Sequence, residues 1–496
     1  MLLGFAFVEG ALVLVLEILG ARAITPYFGT SHLVWTSQIT AALAYLAAGY
    51  ALGGRLARRP GAIGWVLAAA ALWLGAIGFS RAPILTASAE LAGVAAGSFL
   101  ASSLLFAPAF LALGALGPVL VERVHGSASP GAGSSAGRVL FASTLGGLAG
   151  GWATALVLIP HVSLSAAFAG TAIATGLLSA AWMRSLERSA RAVLLATAGA
   201  ALLAWLAPAG ARELGPSEAR GAVIATLQGT TGLVQVLDVD AADARFLLVD
   251  GTVQGAVRKS DGESVVEFSD SLWRAGLGCH PRAESALVVG LGAGSLARSL
   301  ASRGVRITAV ELDPRVVEVA RRHFGLPDSV EVVVADARAA LRRETRRFDL
   351  VLLDVYRGES FPWHLATRQA LSELRGRLSS RGCLVINSIV GADGTSPSAD
   401  RLEAALLDTF SHVRVFHGGA DAVLHNATLV ASAASWDPST LLAGRGAAHF
   451  AKERPASRRA EATTDDYSDL DRVDAPLRLA WRTALLAELD ARTLID

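Results

Sequence analysis

Three glycines and three carboxylates carry the clearest chemical signal in the chain. Gly290, Gly292 and Gly294 follow the short apolar run Ala286–Val289. At a strand-to-helix turn this spacing lets backbone N–H groups approach a ligand closely. Glu311 closes the next apolar run, about 20 residues on, where a carboxylate accepts both ribose hydroxyls of a nucleotide. Asp336 closes the third run and Asp354 the fourth. Three acids at successive strand ends converge on the crevice outside the carboxyl edge of a parallel sheet. Counted from Gly290 the spacing is G-x-G-x-G, which departs from a dinucleotide fingerprint and favours S-adenosylmethionine over NAD.

The elements that must hold these residues are legible on either side of them. Residues 286–290, 306–311, 330–335, 349–354 and 384–388 read as buried strands. Helical stretches Ser295–Arg303 and Arg315–His323 alternate with them, the second opened by Asp313-Pro314. This alternation predicts a doubly wound, Rossmann-like parallel sheet. Val413–Phe416 and Ala427–Ala431 suit an antiparallel edge pair. Ahead of the sheet, the β-prone runs Val223–Leu227, Leu233–Asp238 and Arg245–Asp250 are punctuated by turns at Gly229 and Gly251.

The rest of the chain has a different character. Of 496 residues, 52% are hydrophobic and 18% are charged, with mean hydropathy +0.46. Only fifteen of the 87 charged residues fall in residues 1–210. That half predicts a transmembrane helical bundle of seven or eight spans, over 2–24, 33–57, 62–81, 84–122, 137–159, 163–183 and 190–207, with 84–122 counting once or twice. The long run holds Pro108 near its middle, and Gly146-Gly147 and Gly150-Gly151 allow close helix approach. The first span is expected to remain uncleaved, because Glu9 and Glu17 interrupt its apolar core. Net charge of +1 argues against a nucleic-acid partner. Cys279 and Cys383 are too few for a disulfide framework or a zinc cluster, and no metal site is expected.

Glu9, Glu17 and Glu90 are costly in hydrocarbon and are expected to face the bundle interior or a cavity. Glu9 and Glu17, eight residues apart, share one helix face. With Tyr27, Trp35 and Gln38 near the same mouth, they form a candidate substrate or cation cavity; internal pairing with Arg22 or Gln38 is the alternative. Arg55, Arg58 and Arg59 place the loop after the second span, and the N-terminus, on the cytoplasmic side. The chemistry favours a cytoplasmic C-terminal half and a bacterial inner-membrane location.

Residues 222–432 resemble the spermidine synthase family, an aminopropyltransferase branch of the S-adenosylmethionine methyltransferase fold. The likeness rests on Leu248-Val-Asp-Gly-Thr-Val-Gln254, Val288-Val-Gly-Leu-Gly-Ala-Gly294, Val310-Glu-Leu-Asp-Pro314, Ala335-Asp336-Ala-Arg338 and Phe348-Asp-Leu-Val-Leu-Leu-Asp354. The whole chain is similar to bacterial proteins described as fused MFS/spermidine synthases. Gly49-Tyr-Ala-Leu-Gly-Gly-Arg55, Asp354-Val-Tyr356, Phe361-Pro362, His364-Leu-Ala-Thr367 and Thr464-Asp-Asp-Tyr467 carry that part.

The resemblance implies that Glu311 holds the ribose and Asp336 the adenine amine. Gly290, Gly292 and Gly294 pass the methionine-derived chain, and Gln254 lines the cleft. Asp354 sits beside the nucleophile as base. Asp250, Tyr356, Arg357, His364, Asp465 and Asp466 are the further candidate substrate contacts, with Glu9 and Glu17 in the bundle. Three positions depart from the family pattern: Ala293 for an acid in the loop, Arg357 for a second acid after Asp354, and Phe268-Ser269-Asp270 for a Tyr-His-Glu segment. Exchanging an acid for Arg357 disfavours a diamine such as putrescine.

The expected domains are 1–210 (bundle), 211–282 (β-rich lead-in), 283–435 (α/β domain) and 436–496 (helical extension). The expected activity is transfer of an aminopropyl or related alkyl group from S-adenosylmethionine or its decarboxylated form, with methylthioadenosine as product. Methyl transfer and a non-catalytic transporter or sensor are the alternatives. Expected partners are the lipid bilayer, a small-molecule amine or membrane-associated substrate, and a second copy of the chain in a homodimer.

Overall fold

The computed structural model describes residues 1–28, 32–128, 131–206, 213–214, 221–229, 232–356, 361–391, 393–418, 424–442, 447–450 and 452–466. Arg357 and everything from Tyr467 onward lie outside the described residues. The chain divides into two compact units near residue 211.

Apolar composition with few interior breakers makes the first unit helical. It contains α1 (Leu2–Phe28), α2 (His32–Leu56), α3 (Pro60–Gly75), α4 (Ile77–Ala128) and α5 (Ala132–Ala153). A π turn at Thr154–Leu158 leads into α6 (Ile159–His161), followed by α7 (Leu164–Ser185) and α8 (Arg191–Leu206). Four stretches are long and apolar enough to cross a membrane: Leu2–Thr25, Ala96–Gly126, Ala132–His161 and Leu164–Ser185. Pro60–Gly75 and Ile77–Gly93, bent by 73°, count as a fifth if they form one broken span; Arg191–Ala204 is shorter. Among the described residues the expected seven or eight spans thus become four or five helices of spanning length.

The long apolar run breaks at Gly93, whose φ of 64° is left-handed, and not at Pro108, which stays inside helix. Glycines bring helix backbones together elsewhere. A Cβ on Gly146 would overlap the Phe7 carbonyl, and one on Gly10 would overlap that of Ser143. The α1–α5 contact is therefore backbone against backbone, the packing that small residues permit.

The second unit begins with a five-stranded antiparallel meander, in order β1 (Glu213–Leu214), β2 (Gly221–Gly229), β3 (Gly232–Val239), β4 (Ala244–Val249) and β5 (Thr252–Arg258). Helix α9 (Glu267–Cys279) follows. The main sheet then alternates β6 (Ser285–Val289), α10 (Ser295–Ala301), β7 (Arg306–Glu311), α11 (Pro314–His323), β8 (Glu331–Val334), α12 (Ala337–Arg343) and β9 (Phe348–Leu353). It continues with α13 (Arg368–Gly376), β10 (Leu378–Gly391), α14 (Pro397–Thr409), β11 (His412–His417), β12 (Leu424–Ser432) and β13 (Lys452–Pro455). The strand order is β13-β11-β12-β10-β9-β6-β7-β8, parallel from β10 to β8 and antiparallel beyond.

Two apolar layers sandwich this sheet. Leu287, Val351, Ile386 and Leu429 meet Leu371, Leu374, Leu402 and Leu406 of α13 and α14 on one face. Val288, Leu352, Val385 and Val430 meet Leu272 and Ala275 of α9 and Leu296 and Leu300 of α10 on the other. The meander packs Val234, Val236 and Leu247 on Val316 and Val319 of α11, on Phe324 directly after it and on Ala293 of the glycine loop.

The structure draws two boundaries differently from the sequence expectation. Helix α9 belongs to the main sheet's core rather than to the lead-in. Of the expected helical extension 436–496, the described residues supply 3-10 turns at Pro438–Leu442 and Ala447–Phe450 and the edge strand β13, which pairs with β11, and 467–496 lie outside the described residues. Cys279 at the end of α9 and Cys383 in β10 are joined by a disulfide, a single link that two cysteines do suffice to make.

Candidate active site

The parallel strands end level with one another, and that places the acids. Gly290 N–H donates to the Val310 carbonyl and Asp354 N–H to the Val289 carbonyl, each at 2.9 Å. Ala335 N–H donates to the Glu311 carbonyl, also at 2.9 Å. The turn after β6, Glu311 of β7, Asp336 after β8 and Asp354 after β9 therefore share the carboxyl edge of the sheet. Side chains are excluded from the turn for a steric reason. Gly290 has φ 90°, and a Cβ there would overlap the Asp354 carbonyl oxygen. A Cβ on Gly292, φ 52°, would stand 2.8 Å from the Gln254 carbonyl oxygen of β5. The Gln254 backbone thus lies beside the loop.

Glu311 ties the loop to β7. One carboxylate oxygen accepts from Leu291 N–H at 3.0 Å and the other from Asp313 N–H at 2.9 Å. Burial pushes its carboxyl up, and these backbone donors pull the other way. Each oxygen keeps a further lone pair, so a vicinal diol is a matching ligand. Next to it Leu312 is 51% exposed, an apolar surface at the crevice rim that sequence reasoning passed over.

Asp354 accepts a hydrogen bond from Asn387 Nδ2 at 2.9 Å. Burial raises its carboxyl to about 6, and the Asn387 bond opposes that rise. Asn387 is itself buried, and its Oδ1 has no partner among the described residues. The buried Ser295 hydroxyl at the end of the glycine loop is also unpartnered. Neither residue was singled out from the sequence, although a polar side chain inside the expected strand Leu384–Ser388 was the available signal for Asn387. Orphaned buried polar groups beside a glycine cradle and a carboxylate with spare acceptor sites fit an S-adenosyl nucleoside, toward which Glu311 and Asp336 offer acceptors.

Asp336 caps α12 through Ala339 N–H at 3.0 Å, and its other oxygen lies 3.3 Å from His364 Nε2. His364 does reach the crevice edge. The remaining predicted contacts behave differently. Tyr356 uses its hydroxyl to accept Ile389 N–H at 2.9 Å, fastening the loop after β9 to β10. Asp250, at φ 49° in the turn between β4 and β5, accepts Leu233 N–H at 2.8 Å and ties that turn to the start of β3. Asp465 is bound to Arg338 and Thr367, so its charge is neutralised locally. Asp466 is exposed. Tyr356, Asp250 and Asp465 thus each engage a polar atom in holding the fold. Arg357 falls outside the described residues.

In the helical unit, Glu9 is buried and accepts from Ser143 Oγ at 2.8 Å. Glu17 does not receive the Gln38 side chain on its carboxylate; Gln38 Nε2 donates to its backbone carbonyl at 3.5 Å. Glu90 is exposed and does not face the helical interior. Among the described residues no group of three or more His, Cys, Asp or Glu side chains is arranged to hold a metal ion.

Comparison with known proteins agrees with the architecture of the second unit. Residues 286–382 match the family model described as a methyltransferase domain. A polyamine aminopropyltransferase of Vibrio vulnificus is 39% identical over 121 residues, 23% of this chain and 40% of that one. An N-terminal histidine N-methyltransferase of Emericella nidulans is 30% identical over 187 residues, 34% of each. The chain therefore spans well under half the length of these curated relatives. A crystal structure of a probable spermidine synthase from Corynebacterium glutamicum superposes with TM-score 0.43 and 22% identity, covering 50% of this chain and 98% of that one.

Proposed function

Starting from a C-terminal half with a spermidine synthase-like S-adenosylmethionine methyltransferase fold, we propose that the protein is a membrane-integrated transferase. It alkylates a nucleophile at Asp354 with an aminopropyl or related group from S-adenosylmethionine or its decarboxylated form. The observation that carries this reading is the Asp354–Asn387 pair at the mouth of the glycine loop, with a carboxyl raised to about 6.

The donor supplies a carbon activated by the adjacent sulfonium. Glu311 accepts the two ribose hydroxyls, and Asp336 accepts the adenine amine. Leu312 covers the base with apolar surface. Asp354 accepts a hydrogen bond from the incoming nucleophile and takes up its proton, the task of a base whose pKa lies near working pH. Asn387 Oδ1 offers a second acceptor beside it, which suits a nitrogen carrying more than one hydrogen. Holding both partners in line supplies most of the acceleration, with little covalent work for the protein. Arg357, standing where a second acid would attract a cation, supports an acceptor other than plain putrescine. The spanning-length helices support residence in a bacterial inner membrane, and a cytoplasmic donor supports a cytoplasmic second unit.

Mass spectrometry tests the reading on detergent-purified protein given either donor and membrane extract. Methylthioadenosine is the expected product. S-adenosylhomocysteine would replace the reaction by methyl transfer. Ligand binding with neither product would reassign the protein as a sensor or transporter.

A further inference from the structure

Arg338 joins several segments of the second unit through its side chain. It is buried, and every one of its five N–H groups has a partner. Nε and one Nη2 hydrogen go to Glu373 of α13, each at 3.1 Å. The other Nη2 hydrogen and one Nη1 hydrogen go to Asp465, each at 2.7 Å. The last Nη1 hydrogen goes to the His364 carbonyl at 3.1 Å. One guanidinium therefore joins α12, α13, the loop before α13 and the C-terminal tail, using the fixed fork geometry that lysine lacks.

The tail is fastened independently along the same loop. Thr463 Oγ1 donates to the Ala366 carbonyl at 2.8 Å, and Arg368 N–H donates to the Thr463 carbonyl at 2.9 Å. Thr367 Oγ1, fully buried, donates to Asp465 at 2.7 Å. Asp465 N–H donates to Gln369 Oε1 at 3.2 Å. This strap fixes the loop that carries His364. His364 Nε2 lies 3.3 Å from Asp336 Oδ2, the oxygen left over once Oδ1 has capped α12. The position of the loop thus decides how Asp336 Oδ2 is presented to a ligand.

We infer that Arg338 and Asp465 are positioning residues for base recognition: the tail strap sets His364 against Asp336, and that pair reads the exocyclic amine of the donor's adenine. The inference rests on the S-adenosyl donor reading above. Asp465 therefore acts on the donor side of the crevice, through Arg338, and not on the acceptor as a free acid.

The test compares binding of methylthioadenosine with that of methylthioinosine, in which a carbonyl replaces the amine, by calorimetry on the full-length protein in detergent. Wild type is expected to prefer methylthioadenosine. Asp465→Asn is expected to weaken methylthioadenosine about tenfold, the loss of one well-placed hydrogen bond, and to erase most of the preference. Asp465→Glu, which keeps a carboxylate within reach of Arg338, is expected to restore both. A preference unchanged in Asp465→Asn overturns the inference, as does an equal loss for the two nucleosides, which marks a purely structural strap. Wild type binding neither nucleoside overturns the donor reading itself.

Discussion

Asp354, directly after β9, and Asn387, in the neighbouring parallel strand β10, are joined by a single hydrogen bond, with Nδ2 donating to Oδ1 at 2.9 Å. This bond acts against the burial that raises the Asp354 carboxyl to about 6. The pair is poised because the two influences oppose each other: a carboxyl too easily ionised is a weak base, and one fully neutralised cannot accept a proton.

Replacing Asp354 by Asn removes the base and preserves its shape. The turnover rate is expected to fall about a hundredfold to ten-thousandfold, the usual contribution of a positioned base. The dissociation constant for methylthioadenosine is expected to stay close to that of the wild type. Steady-state kinetics and calorimetry on the same preparation check this, and a parallel loss of nucleoside binding would move Asp354 from the chemistry to the architecture.

The rate has a definite dependence on pH. Asp354 must be unprotonated to act, so kcat/KM for the acceptor is expected to rise through an acid limb near pH 6. Stability responds with the opposite sign. The folded carboxyl holds its proton up to about 6, against 3.8 for an ordinary aspartate. The stabilisation from this group is therefore complete below the lower value and lost as pH rises through the higher one. A pH–rate profile together with thermal unfolding at several pH values reads both effects.

Asn387→Leu removes the donor that lowers the Asp354 carboxyl. The acid limb is expected to move above its wild-type position, with turnover at high pH much less affected. An unshifted limb in this variant would separate Asn387 from Asp354 and undo the pairing argument.

Glu311→Gln places an amide where both oxygens accept backbone N–H groups from Leu291 and Asp313. One of those contacts becomes donor against donor. Binding of methylthioadenosine is expected to weaken between about tenfold and about a hundredfold, in keeping with loss of charged hydrogen bonds. Thermal protection by that nucleoside is the convenient readout, since a ligand that binds only the folded state raises its melting temperature. Undiminished protection would remove Glu311 from the site.

The Cys279–Cys383 link closes a loop of 104 residues between α9 and β10. In the chain-entropy account a loop of roughly this size contributes about 4.7 kcal/mol. Alkylation before reduction is expected to leave the protein's mass unchanged, and reduction is expected to lower the melting temperature of the second unit. Alkylation in intact cells carries a further consequence, because cytosolic thiols are normally kept reduced. A disulfide found there in the oxidised state would argue for the second unit facing an oxidising compartment.

Much of the second unit was legible as text, because its signals are local. A glycine turn needs particular glycines, and buried parallel strands read as short apolar runs ending in acids. The expected run Arg306–Glu311 coincides with β7, and Asp313-Pro314 opens α11 through a side-chain cap and proline's fixed φ. Span counting in the first unit was less secure. Apolar composition marks helix without marking length, so a break at Gly93 and the short α8 do not stand out from their surroundings.

The sequence by itself determined the order of strands and helices in the second unit, the glycine loop, and the placing of Glu311, Asp336 and Asp354 at strand ends. Periodicity and turn chemistry act over a few residues, and those features need nothing more. Only the tertiary structure decided which polar groups are available and which are committed. Asp465 lies 127 positions from Arg338, and Asn387 lies 33 positions from Asp354. No local pattern records that the first pair neutralises an acid while the second leaves one poised, because that distinction comes from side chains brought together across the folded chain.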